Sequence, residues 1–187
     1  MKKTPIVILV SCFAAIQLPA QSGSSIPSPE IKGKNNAVSF GAILPIGEFS
    51  RTHFAGVAVN YSWSHHRFGQ TGNQPGKLID FLADGGMNYY FGKNETVAGY
   101  KYKYGGYIYL HAFGGAIYNF SKKGNIALTG GPGMGIYKGG HDWGLGASLS
   151  GSYYVGTAIA FTPEIVFFKH NEAAALWSGG IRAAYMF

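Results

Sequence analysis

The chain has little cysteine, little charge and no long hydrophobic run beyond its first twenty residues. Its only cysteine among 187 residues is Cys12, which leaves no partner for a disulfide and no second thiolate for a structural zinc site. Charged residues make up 12% of the chain, about half the usual share. A water-soluble domain this poor in charge leaves apolar surface exposed to solvent, whereas lipid demands such a surface. The longest apolar stretch, Ile6 to Leu18, is too short to cross a bilayer as a helix, which needs about 20 residues. No phosphate loop, metal-ligand spacing or nucleophile motif rises above background.

The N-terminus has the pattern of a secretory signal. Lys2 and Lys3 form a basic start, Ile6 to Leu18 an apolar middle, and Leu18-Pro19-Ala20 a cleavage signal before Gln21. Residues 1–20 are therefore expected to be removed, and residues 21–36, rich in Ser, Pro and Gly, to form a flexible leader. Export removes nucleic acid as an expected partner, despite a net charge of +7.

What the chain does have is aromatic residues, glycine and alternation. From Ala37 onward, apolar and small or polar residues alternate with a period of two, the signature of strands with two different faces. Turn signals divide this region into eight segments: Ala37–Pro45, Phe54–His66, Leu78–Phe91, Gly106–Phe120, Asn125–Lys138, Trp143–Val155, Thr157–Lys169 and Trp177–Phe187. In the last segment Trp177, Ile181, Tyr185 and Phe187 share one face, and Arg182 stands in the middle of the other. Apolar outside, polar inside and aromatic near each end is the pattern of a membrane-crossing strand. The expectation is an all-β fold, an eight-stranded antiparallel up-and-down transmembrane β-barrel over residues 37–187. Pro132 and Pro163 fall inside segments, where a missing N–H breaks a ladder bond, so a bulge or strand end is expected at each.

Eight strands enclose a lumen that side chains just fill, which excludes an open pore. Strand phase turns Asp80, Asp84, Asn88, His111, Glu164 and Arg182 into it. A fold-back near residue 173 sets Glu164 opposite Arg182, and the two are expected to form a structural ion pair, since buried charges must be paired. Asp80 and Asp84 also share a face, at a spacing that suits a cation, an acid–base pair or, as expected here, lumen packing with water. In the connection from Gly92 to Gly105, Tyr100, Lys101, Tyr102, Lys103 and Tyr104 alternate aromatic and basic residues. This pattern suits sugars and phosphates such as those of lipopolysaccharide, and equally suits a hairpin extended into water.

These features carry a resemblance: the signal ending at Ala20-Gln21, the Leu44-Pro45-Ile46-Gly47 turn, the alternating strands and the terminal Tyr185-Met186-Phe187. The chain resembles the small eight-stranded outer-membrane barrels of Gram-negative bacteria, of the OmpA-transmembrane-domain and OmpX type. Within them it is most similar to the outer-membrane β-barrel domain proteins of Bacteroidota. The resemblance implies residence in the outer membrane among lipid and lipopolysaccharide. It also implies recognition of Tyr185 and Phe187 as an assembly signal by the barrel-insertion machinery. A monomer without cofactor or metal, in a structural, envelope-integrity or surface-contact role, is the expected state.

Some small barrels of this class modify lipid A, with a histidine near a serine and an acid at the outer rim. His53, His65, His66, His141 and His170 all lie near segment ends. Ser64-His65-His66 falls at the periplasmic rim. His53 and Asp142 fall at the outer rim, with only Ser50 as a nearby hydroxyl. A nucleophilic relay requires these groups in contact, and the expectation is that the protein is not an enzyme.

Overall fold

The structure, a computed structural model, describes residues 34–65, 79–97, 99–121, 123–156, 158–171 and 175–187. The signal, most of the leader, Leu78, His66 and the connection Gly69–Gly76 lie outside the described residues. The elements are β1 (Asn36–Ile46), α1 (Phe49–Thr52), β2 (His53–Ser64), β3 (Ile79–Gly92), β4 (Asn94–Val97), β5 (Tyr100–Lys103), β6 (Tyr107–Ser121), β7 (Gly124–Tyr137), β8 (Gly140–Val155), β9 (Ile159–His170) and β10 (Leu176–Met186).

Eight of the strands form one closed antiparallel barrel in the order β1, β10, β9, β8, β7, β6, β3, β2. Closure comes from β1 on β10, where Ala37 meets Met186 and Ile46 meets Trp177. Asn36 and Phe187 exchange backbone hydrogen bonds of 3.3 and 2.9 Å at the seam. No sheet edge is left to face lipid, where an unpaired backbone group costs several kcal/mol.

The alternation read from the sequence is the alternation of burial. Phe54, Phe91, Trp143 and Trp177 are exposed on the outer wall toward the end that carries α1 and the β4–β5 hairpin. Trp63, Phe81, Phe120, Tyr153, Phe161, Tyr185 and Phe187 are exposed toward the end that carries both termini of the barrel. Between these girdles the outer wall is aliphatic, with Leu128, Leu145, Ile165 and Ile181 exposed. In water this surface would be a liability; in a bilayer it is the anchor.

The connection from Gly92 to Gly105 folds into its own two-stranded sheet, β4 on β5, the hairpin that the sequence also allowed. Three details differ from the sequence reading. A short helix, α1, occupies the first loop. The connection expected over Gly139–Asp142 is only two residues: Tyr137 pairs with Gly140, and Lys138 and Gly139 turn with φ of 48° and 82°. Neither proline makes a bulge or ends a strand. The register shifts fall between His53 and Gly56 and between Asn119 and Ser121. Instead, pairing is interrupted without a shift beside each ring: between His111↔Gly133 and Gly114↔Gly130 near Pro132, and between Ser150↔Glu164 and Tyr153↔Phe161 near Pro163. The neighbouring strands hold the proline segment in phase, so the missing donor costs a bond and not the register.

Candidate functional site

The lumen has two halves. Toward the termini end, Ala37, Leu82, Ile117, Ala127, Tyr154, Ala160 and Met186 form a small core. A cavity of about 50 Å³ lies among them, with Ser39, Ser62, Thr129, Ser148, Ser150, Ser152 and Thr162 in its wall. At about 10–15 Å³ per water, it has room for a few water molecules. Toward the loop end, Tyr90, Tyr107, Tyr109, Phe113 and Phe168 pack into an aromatic plug with Ile43, Val166 and Leu176. Large rings fit there because glycines face them: a Cβ on Gly133 would stand 2.7 Å from the Tyr109 ring, and one on Gly146 2.7 Å from Phe113.

Between the halves sits an ionic cluster. Arg182 Nη2 lies 2.9 Å from Glu164 Oε2, and Nη1 lies 3.9 Å from Asp84 Oδ1. Asp84 accepts from Ser62 at 2.6 Å and from Asn60 at 3.0 Å, and His111 Nε2 lies 3.3 Å from its Oδ2. Asn60 also lies 3.1 Å from His111 Nε2. All four ionisable groups are below 10% exposed. At this depth a lone charge is costly, and mutual pairing with added hydrogen bonds is the physical remedy.

The expected Glu164–Arg182 pair is thus present, by a different register from the one expected. Glu164 pairs with Gly180, and Arg182 with Thr162. The fold-back is centred one residue earlier than 173, so the two side chains meet diagonally across the ladder, within reach of long side chains. A register change of two residues preserves the facing of every side chain. Asn88 is buried in the lumen as expected. Asp80 and Asp84 take separate partners: Ser64 Oγ donates to Asp80 at 3.1 Å, while Asp84 joins the cluster. Among the described residues no group of His, Cys, Asp and Glu is arranged to hold a metal ion.

At the loop-end mouth, α1 lays Phe49 over the plug. Its ring stacks on His53 at 4.4 Å and meets Tyr90 and Tyr107 edge-on at 5.1 and 5.2 Å. His53 lies 2.9 Å from Thr52 Oγ1 and 3.2 Å from the Gly105 carbonyl, which ties the first loop to the chain entering β6, two strands away. The grouping of His53, Asp142 and Ser50 does not form. Asp142 instead lies 3.2 Å from His170 Nδ1, and His170 Nε2 lies 2.9 Å from Tyr107 Oη. Ser50 donates to the Gly47 carbonyl. Phe49 as a cap and Tyr107 as the partner of His170 left no mark in the sequence, because each depends on a loop conformation or on strands far apart in the chain.

Beyond the mouth stands the β4–β5 hairpin. Tyr102 is opposite Glu95, and Lys101 opposite Thr96. Opposed residues share a face, so the alternating Tyr and Lys residues separate to opposite sides. Tyr104 donates to Glu95 at 3.3 Å and meets Tyr102 edge-on at 4.7 Å. Lys138 joins them from the neighbouring turn, donating to Tyr102 Oη at 3.3 Å. That contact holds the ammonium above its ordinary pKa.

No family model matches the chain, and no curated protein matches it. Solved structures do. The crystal structure of Ail, the attachment invasion locus protein of Yersinia pestis, superposes with a TM-score of 0.55 at 10% identity, covering 83% of this chain and 99% of that one. Its complex with the heparin analogue sucrose octasulfate gives 0.55 at 9% identity over 83% and 99%. Its backbone structure in a phospholipid bilayer nanodisc gives 0.52 at 13% identity over 82% and 99%. At such identities the likeness concerns the fold alone: a closed eight-stranded antiparallel barrel of the small outer-membrane type.

Proposed function

We propose that the chain is a non-enzymatic integral protein of a Gram-negative outer membrane, closed to solutes, supporting the envelope or its surface contacts. The observation that carries this reading is the pairing of an apolar, girdled outer wall with a lumen plugged by its own side chains. Such a barrel is built to sit in lipid and to present loops, not to conduct. Its partners are outer-membrane lipid and lipopolysaccharide, and it acts as a monomer without cofactor. Tyr185 and Phe187, on the lipid face of the closing seam with rings 6.4 Å apart, serve as the assembly motif read by the insertion machinery once the N-terminal signal has been cleaved.

Fractionation of a Gram-negative host tests this reading. The protein is expected in the outer membrane with heat-modifiable gel mobility, and deletion of Phe187 is expected to reduce insertion more than synthesis. Recovery in the soluble fraction would overturn it. The Asp142–His170–Tyr107 contact favours a second reading, lipid A modification, in which His170 moves a proton. Both Tyr107 and His170 are buried, which argues against access by a glycolipid. Mass spectrometry of lipid A from cells with and without the gene decides: an altered acyl pattern would establish the enzyme.

A further inference from the structure

We propose that the loop-end hairpin and the β7–β8 turn form a binding site for a phosphorylated sugar, its ring stacked on Tyr102 and its phosphate on Lys138. The inference rests on the outer-membrane reading for the source of the ligand, a glycolipid headgroup of the surrounding leaflet, and not for the chemistry of the site.

Three observations converge. The first is the separation of faces. Strand pairing places Tyr102 with Glu95 on one side of the hairpin, and Lys101 and Lys103 on the other. Stacking and charge therefore cannot both come from the alternating segment. The tyrosine side receives its cation from outside, from Lys138, whose Nζ lies 5.1 Å from the Tyr102 ring centre.

The second observation is exposure. Tyr102 is 47% exposed, on a hairpin paired only with itself and lying past Phe91 of the outer-wall girdle. The lipid band does not account for a ring that is still half-exposed beside Lys138 and Tyr104. A flat aromatic face stacks on a sugar's C–H face, and a carboxylate such as Glu95 accepts from sugar hydroxyls.

The third is the backbone at Lys138. It is the only described residue other than glycine with positive φ. A two-residue turn with both φ positive favours Asn-Gly, and a lysine at its first position carries a conformational cost. A residue held in such a region at a cost points to a role for its side chain. The Lys138 ammonium donates to Tyr102 Oη and also lies 5.4 Å from the Tyr137 ring centre, which leaves part of its donor capacity for an anionic oxygen.

The test uses the intact protein purified from membranes. It is titrated with lipopolysaccharide, with the same lipopolysaccharide stripped of phosphate, and with a soluble phosphorylated mannan. Binding of the phosphorylated forms is expected to weaken about tenfold in Lys138→Asn and in Tyr102→Ala, the loss of one charge-assisted or stacking contact. It is expected to stay unchanged in Lys101→Ala/Lys103→Ala. Lys138→Asn installs the preferred turn pair, so its barrel should fold at least as well, checked by heat-modifiable mobility. Equal binding by Lys138→Asn, loss only in the double lysine variant, or indifference to phosphate removal would each overturn the site. Tighter binding of the mannan than of lipopolysaccharide would keep the site and overturn its leaflet source. Failed binding by a protein that fractionates with the outer membrane removes this inference and leaves the proposed function standing.

Discussion

Arg182 shows how a single residue can report on a whole strand. A guanidinium at the middle of a lipid-facing position costs about 2–4 kcal/mol, so its phase alone places it inside. Once inside it needs counter-charges, and it has two, Glu164 at 2.9 Å and Asp84 at 3.9 Å. The first was legible from phase and a short hairpin. The second was not, because Asp84 reaches Arg182 across the lumen, between strands that are not neighbours in the barrel. Removing one member of such a group leaves a desolvated charge, which costs about 3–5 kcal/mol in a dry site and less where water enters. Arg182→Ala is therefore expected to unfold at markedly lower urea concentration in lipid. Arg182→Ala/Glu164→Gln is expected to recover part of the loss, only part because Asp84 has still lost the guanidinium and keeps only His111, Ser62 and Asn60. A double-mutant cycle without coupling would end the claim.

At the scale of the strand, glycine is a spacer. At Gly115 an added Cβ would collide with the Leu128 carbonyl and come within 2.7 Å of Thr129 Cα. The obstacle is backbone of the adjacent strand β7, which cannot rotate away as a side chain can. Gly85 differs: the nearest atom to its Cβ would be the His111 carbonyl oxygen at 3.6 Å, an ordinary contact. Gly115→Ala is expected to destabilise the barrel by about 1–3 kcal/mol, and Gly85→Ala to change it by less than about 0.5 kcal/mol. Urea unfolding of both variants in the same lipid checks the contrast, and equal effects would show that strand glycines matter by propensity and not by room. The hairpin is the other lesson at this scale. The Tyr-Lys alternation of residues 100–104 is visible in sequence, but the partner strand decides which side each residue takes. The cation that serves the tyrosine side comes from a different turn.

For the whole molecule, the division of the lumen is the main result. An eight-stranded wall leaves room for about one layer of side chains, and this chain fills the loop-end half with rings and lines the termini-end half with hydroxyls. The intact barrel is expected to show no stepwise conductance in a planar bilayer. Tyr109→Ala/Phe168→Ala removes two rings 4.5 Å apart at the centre of the plug. It is expected to open discrete conductance in a barrel that is still heat-modifiable, at a stability loss of several kcal/mol. Conductance by the unaltered protein, or silence from a folded double variant, would show that the plug is not what closes the lumen.

The sequence by itself determined the number of barrel strands, their antiparallel order and which face of each meets lipid. These depend on period-two patterning and short turns, both local properties of the chain. It also determined that Asp84, Asn88, His111, Glu164 and Arg182 would share one interior. Only the tertiary structure decided their partners, because register and cross-lumen distance are set by the closure of β1 on β10. The same holds for Phe49 over the mouth, for Asp142 beside His170 in place of His53, and for Lys138 beside Tyr102. Each joins segments far apart in sequence through loops, and in loops no repeating pattern ties a residue's direction to its position in the chain.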